Sequence, residues 1–153
     1  MATNRVRPII FFRIGYMKSY DGAGEITGGG SHIAEQGSGG EMWNFQSQRG
    51  KCRGYVMSTD FTGIDLGRIE PEVEWEDGDV LDGVDIVFFS KKPRVGQVIV
   101  GWYKNAKIFH RHYGKSVNPF SKGQRWSEST YLCETQSENA FLLNEDDRTL
   151  KVT

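Results

Sequence analysis

The sequence predicts an α+β fold: a small, strongly curved β-barrel with one to three short flanking helices. Three observations carry this prediction. Apolar and aromatic runs of strand length recur along the chain, each bounded by Gly, Pro, Asn or Asp. No stretch sustains an i, i+3, i+4, i+7 apolar face between two caps, as a long helix would. And 153 residues, 37% hydrophobic and 25% charged, suit one globular domain (residues 1–153) able to bury a core of its own. A curved sheet or small barrel is the architecture that so many short strands imply.

The basic N-terminal residues lead into Pro8–Phe12, an apolar stretch too short for the core of a signal peptide, so Ile9–Tyr16 is predicted as a strand. Nowhere does an apolar run approach the roughly 18 residues of a membrane-spanning helix. The expected setting is therefore cytoplasmic, without membrane contact. Next comes Gly22–Gly40, with eight glycines in nineteen residues. No Gly-Lys-Ser/Thr follows, and no strand–GxGxxG–helix frame surrounds it, so it is neither a Walker loop nor a dinucleotide fingerprint. It reads as a long surface loop, where backbone amides could approach a phosphate or a base closely.

A short helix is predicted around Glu41–Gln46, then a strand over Arg53–Ser58. Val84–Ser90 and Gln97–Tyr103 are predicted strands joined by a turn in KKPRVGQ. Lys104–Asn105 looks like a tight hairpin connection between Gln97–Tyr103 and a further strand, Ala106–His112. A weaker strand at Thr130–Glu134 and a short helix around Ser137–Leu143 follow. The closing NEDDRTLKVT is polar, as a domain boundary would be. Cys52 and Cys133 belong to no metal or redox spacing and are expected as two reduced, buried thiols.

The net charge of −1 conceals a strong asymmetry. Residues 60–85 carry ten acids and one base, whereas residues 91–125 carry nine Lys or Arg and no acid. Either the basic segment serves an anionic partner or the two segments neutralise each other in the fold; both remain open at this point.

Catalytic constellations are missing. There is no GxSxG, no HExxH, and no Glu-x-Lys after Asp85 such as a carboxylate nuclease would need. His110 and His112 share one side of a strand, but a zinc site wants a third ligand. No metal and no cofactor are expected, and binding is favoured over catalysis. Aromatic and basic residues do interleave. Trp43, Trp102, Tyr103, Trp126 and Tyr20 are candidate stacking platforms, with Asp21, Asn44 and Asn105 to read a base edge. Lys91, Lys92, Arg94, Lys104, Lys107, Arg111 and Ser31 are candidates to hold phosphates. Core packing competes for the same aromatics and must claim at least half of them. Trp102 and Tyr103, adjacent in a strand, face opposite sides, so one of the two enters the core.

The segments GGGSHIAEQGSGGEMWNF, GKCRGYV, VGQVIVGWYKNAKIF and ENAFLLNEDDRTLKV resemble an N-terminal module of prokaryotic modification-dependent restriction proteins, in which a reader precedes an HNH-type or other nuclease domain. GDVLDGVDIVFF, followed by a glycine turn and a strand ending in VGW, is similar to the PUA-like superfamily that includes EVE and YTH domains. The resemblance implies a small β-barrel holding a modified or flipped base in an aromatic cage. It implies a DNA-binding reader of a methylated or hydroxymethylated base, part of a longer protein whose C-terminal nuclease domain or subunit cuts. The alternatives are an RNA-binding module of the same broad fold, a small nuclease, and a protein-interaction domain.

Overall fold

A computed structural model describes residues 7–20, 26–28, 44–47, 49–56, 63–111, 115–117 and 128–152. Ten strands occur among them: β1 (Ile9–Arg13), β2 (Tyr16–Met17), β3 (Ile26–Gly28), β4 (Lys51–Gly54), β5 (Val80–Lys92), β6 (Gly96–Phe109), β7 (Lys115–Val117), β8 (Glu128–Thr130), β9 (Cys133–Gln136) and β10 (Ala140–Leu142). The main sheet has the order β1-β5-β6-β9-β4, and β10 also pairs with β6. β1 runs parallel to β5, and the other pairs of this sheet are antiparallel. Two small sheets, β2-β3 and β7-β8, stand apart from it.

The strand-rich prediction is met, with two corrections. The predicted flanking helices are absent among the described residues: the three short helical pieces there are 3-10 turns, Leu66–Arg68, Ser137–Asn139 and Glu145–Asp147. Ser137–Leu143 divides into one such turn and the strand β10, while Asn44–Phe45 of the first predicted helix lies in a turn. The main sheet is also open rather than a closed barrel, with β1 and β4 at the two ends of its strand order among the described residues. Of the glycine-rich segment 22–40, only β3 falls within the described residues.

The long β5–β6 hairpin dominates. Its turn falls where predicted, at Pro93–Val95, with Arg94 at φ 66° and Gly96 at φ 113°. Lys104–Asn105 makes no hairpin, however. A two-residue type I′ turn needs positive φ at both positions, and only Asn105 has it, at 51°. The chain therefore continues as one strand with an irregular register. Asp85 stands opposite on β5, and Asn105 N–H donates to its Oδ1 at 3.0 Å; Gly83, at φ 70°, lies at a second irregularity, opposite Lys107. Such bulges coil a hairpin without ending it.

Alternation along β5 and β6 sends Leu81, Val84, Ile86 and Phe88, with Val98, Val100, Tyr103, Ala106 and Ile108, to one buried face. Phe45 lies edge-to-face against Tyr20, Phe88 and Tyr103, with centroids 5.5–5.8 Å apart. Gly101 is obligatory beneath it: a Cβ there would meet the Phe45 ring at 2.7 Å and collide with the Phe141 carbonyl.

The closing segment is part of the fold, contrary to its boundary-like composition. Lys151 bridges to Val98, and Ile99 N–H donates to Leu150 O at 3.0 Å. Arg148 is 1% exposed. Its guanidinium donates to the carbonyls of Leu143, Met17 and Lys18 at 3.0, 2.6 and 2.7 Å and lies over the rings of Tyr16 and Tyr20. The planar fork satisfies one buried and two partly buried carbonyls at once and ties the last turn to β2.

Candidate nucleic-acid interface

The face of the sheet opposite the core carries a second set of aromatic side chains. Residues paired in register share a face. Phe11 lies opposite Val87, Val87 opposite Trp102, and Trp102 opposite Phe141, so the four form one row across β1, β5, β6 and β10. Trp102 and Phe141 are stacked, 5.8 Å between centroids and 30° between planes. Phe11 meets Phe89 edge-on at 6.5 Å. Phe11 remains 52% exposed, Phe141 43% and Ile9, two residues before Phe11, 59%. Large apolar side chains left open in a contiguous row, rather than singly, mark a contact surface.

Cations stand on the same side of the sheet, Arg13 and Lys104 two residues from Phe11 and Trp102 and the others farther off. Arg13, Lys91, Lys104 and Lys107 are exposed, and Lys51 and Arg53 alternate outward from the buried Cys52 and Gly54. Two carboxylates stand among them. Asp85 accepts from Asn105 and lies 3.8 Å from Arg7. Glu134 lies 3.8 Å from Lys51, 3.6 Å from Arg53 and opposite Lys107 in register.

The structure divides the predicted base-pocket residues between the two faces. Trp102 and Asn105 reach the outer side, Asn105 exposed and Trp102 half-buried. Tyr103, Tyr20 and Asn44 are core residues, which corrects the expected pocket in three places. Tyr103 is fully buried, with its hydroxyl donating to the Asn44 carbonyl. Tyr20 donates to Gly15 O at 2.6 Å. Asn44 exchanges two hydrogen bonds with the backbone of Tyr55, at 2.8 and 3.0 Å. Neither ring nor amide is open to a base. Trp43, Trp126, Asp21 and Ser31 lie outside the described residues.

Among the predicted phosphate contacts, Lys91, Arg94, Lys104 and Lys107 are exposed. Lys92 instead donates to Glu145 O at 2.8 Å, and Arg111 pairs with Asp65 at 3.3 Å. At Arg111, then, the acidic and basic segments neutralise each other; at Lys91, Lys104 and Lys107 the positive charge faces outward. His110 has a structural role. It is buried, accepts from Leu66 N–H through Nδ1 at 3.0 Å, and stacks on Trp75. Among the described residues no three His, Cys, Asp or Glu side chains gather as metal ligands would. Cys52 and Cys133 are free, buried thiols, and burial pushes both of their pKa values up, so neither is an available thiolate.

Sequence reasoning missed Phe11, Phe141, Lys51 and Arg53. The run IIFF in β1 is apolar at every position and hides which residues face out, and Phe141 sits in a segment that reads as helical. For Lys51 and Arg53 the alternation with Cys52 and Gly54 was an available signal. No helix among the described residues is long and apolar enough to cross a membrane. Compared with models of known families, with curated proteins and with solved structures, the chain matches none.

Proposed function

We propose that the chain is a nucleic-acid-binding module that receives bases lying outside a duplex stack on its outer aromatic row, and that it serves as a reader of modified DNA. The observation that carries this reading is the row Phe11–Val87–Trp102–Phe141, open on a sheet face that also carries cations. A base inside a duplex offers only its edges; an extruded or single-stranded base offers its whole π-face. Extrusion costs a few kcal/mol, offset by stacking on Trp102 and Phe141 and by phosphate contacts from Lys91, Arg94, Lys104 and Lys107. A methylated or hydroxymethylated base is the proposed target, and a linked restriction nuclease the proposed effector. The PUA-like resemblance belongs to the same proposal. The coiled, bulged β5–β6 hairpin supports it.

A second reading is an RNA-binding or single-strand module of the same broad fold. The width of the row favours it, since four strands offer room for more than one base. Both readings are tested by measuring binding to matched duplexes carrying no modification, 5-methylcytosine, 5-hydroxymethylcytosine or N6-methyladenine, and to the corresponding single strands. At about 100 mM salt, phosphate contacts contribute without dominating. The expected result is a preference of about tenfold or more for one modified duplex, about 1.4 kcal/mol, lost in W102A. Tighter binding to every single strand than to any duplex establishes the second reading. Binding to none of them overturns both.

A further inference from the structure

At the far end of β6 from the aromatic row, three cations from two strands surround one carboxylate. Lys51 and Arg53 project from β4, Lys107 from β6, and Glu134 stands between them on β9. The arrangement is not a set of closed ion pairs. Glu134 Oε1 is 3.8 Å from Lys51 Nζ, and Oε2 is 3.6 Å from Arg53 Nε. Both distances exceed the 2.7–2.9 Å of a charge-assisted hydrogen bond. Arg53 Nε is shielded from solvent and has no hydrogen-bond partner. The guanidinium carbon lies 5.2 Å from the centre of the Tyr131 ring, which in turn meets Phe109 edge-on at 5.6 Å. Arg53 is thus held in place by a ring, with its Nε donor not used in a hydrogen bond. Three positive charges against one leave a local balance of +2 for a further anion.

We infer that Lys51, Arg53 and Lys107 form a phosphate-binding site for the backbone of the nucleic acid whose bases lie on the Phe11–Trp102–Phe141 row. Glu134 spaces the cations and prevents their mutual repulsion from scattering them. A phosphate meets Arg53 through a planar fork and the lysines as point charges. Lys107 is five residues from Trp102 along β6, about 17 Å at the rise of an extended strand. The backbone of a bound strand therefore crosses the sheet diagonally, from the aromatic row on β5, β6 and β10 toward β4. This inference rests on the proposed function for the identity of its ligand, but not for the existence of the anion site.

Two measurements test it and separate its failure from that of the proposed function. The first is the salt dependence of binding to a fluorescein-labelled ten-residue oligothymidine, for the wild type, K51Q/R53Q, K107Q and W102A, each shown to be folded by its thermal transition. Each lost phosphate contact on a single strand lowers the slope of log K against log salt by about 0.7. K51Q/R53Q is expected to lower it by about 1.4 and K107Q by about 0.7, whereas W102A weakens binding at an unchanged slope. E134Q is expected to tighten binding several-fold. Unchanged slopes in both K51Q/R53Q and K107Q overturn the phosphate site and leave the aromatic row standing. The second is a titration of the wild type with inorganic tripolyphosphate, followed through the Arg53 Nε–Hε NMR signal. A saturable shift there without oligonucleotide binding upholds the anion site and removes nucleic acid as its source. Neither shift nor oligonucleotide binding removes both.

Discussion

The two faces of the β1–β5–β6 sheet carry similar aromatic content and use it in opposite ways. On the inner face Phe45, Phe88, Tyr20 and Tyr103 lock edge-to-face, and the Tyr20 and Tyr103 hydroxyls are committed to backbone carbonyls. On the outer face Trp102 stacks on Phe141 and Phe11 meets Phe89 edge-on, and Phe11 and Phe141 keep about half of their surface in water. Trp102 and Tyr103 are neighbours in sequence yet belong to different faces. The lesson is that aromatic richness near basic residues says little about a binding surface until the face is known; parity along the strand decides it.

The inner face depends most on one side chain from the far end of the sequence, Arg148. Arg148→Ala removes the donor to the buried Met17 carbonyl and to the partly buried carbonyls of Lys18 and Leu143. At about 1–3 kcal/mol for each orphaned group that cannot rehydrate, a loss of about 3 kcal/mol or more is expected in urea unfolding. A loss below about 1 kcal/mol would mean that water replaces the guanidinium and that the tie contributes little.

Tyr103→Phe against Trp102→Ala sharpens the contrast between the faces. Tyr103→Phe removes the hydroxyl from a buried carbonyl and is expected to cost about 1–3 kcal/mol of stability with binding unchanged. Trp102→Ala is expected to lose about 1–3 kcal/mol of base stacking with a smaller effect on stability. Equal effects of both variants on both measurements would erase the distinction between the faces.

The smallest expected effect is on the pH profile. Burial raises the Cys133 and Tyr103 pKa values in the folded chain. Above pH ~8.5, where an exposed thiol ionises, the unfolded chain releases a proton that folded Cys133 retains. Stability is therefore full below that pH and falls above it, by up to about 1.4 kcal/mol per pH unit for one thiol. Cys133→Ala is expected to flatten the fall between pH 8.5 and 10 in urea titrations, and an unaltered slope would assign it to other groups.

Much of the fold was legible because it rests on local chemistry. Pro93, Arg94 and Gly96 announced the hairpin turn, and short β-branched and aromatic runs announced strands. Lys104–Asn105 was misread because a tight turn and a bulge attract the same residues, and only the φ of Lys104 separates them. The site was less legible because it depends on pairing between distant segments. Nothing near Phe141 reveals that it will stack on Trp102, and nothing near Arg148 reveals that its acceptors are Met17 and Lys18. Burial of an arginine in a stretch as polar as NEDDRTLKVT runs against every compositional rule.

The Arg148 fork also bears on how the chain is made. Its acceptors, Met17 and Lys18, lie 131 and 130 residues earlier in the sequence. The β5–β6 hairpin is local and can form as soon as its two strands have left the ribosome, whereas the contact that joins β2 to the final turn has to wait for residue 148. Contacts of such long span form late, since their loop closure precedes their reward. During synthesis the inner aromatic face is therefore expected to stay unsealed until nearly the whole segment has emerged, which makes residues 143–152 a folding checkpoint.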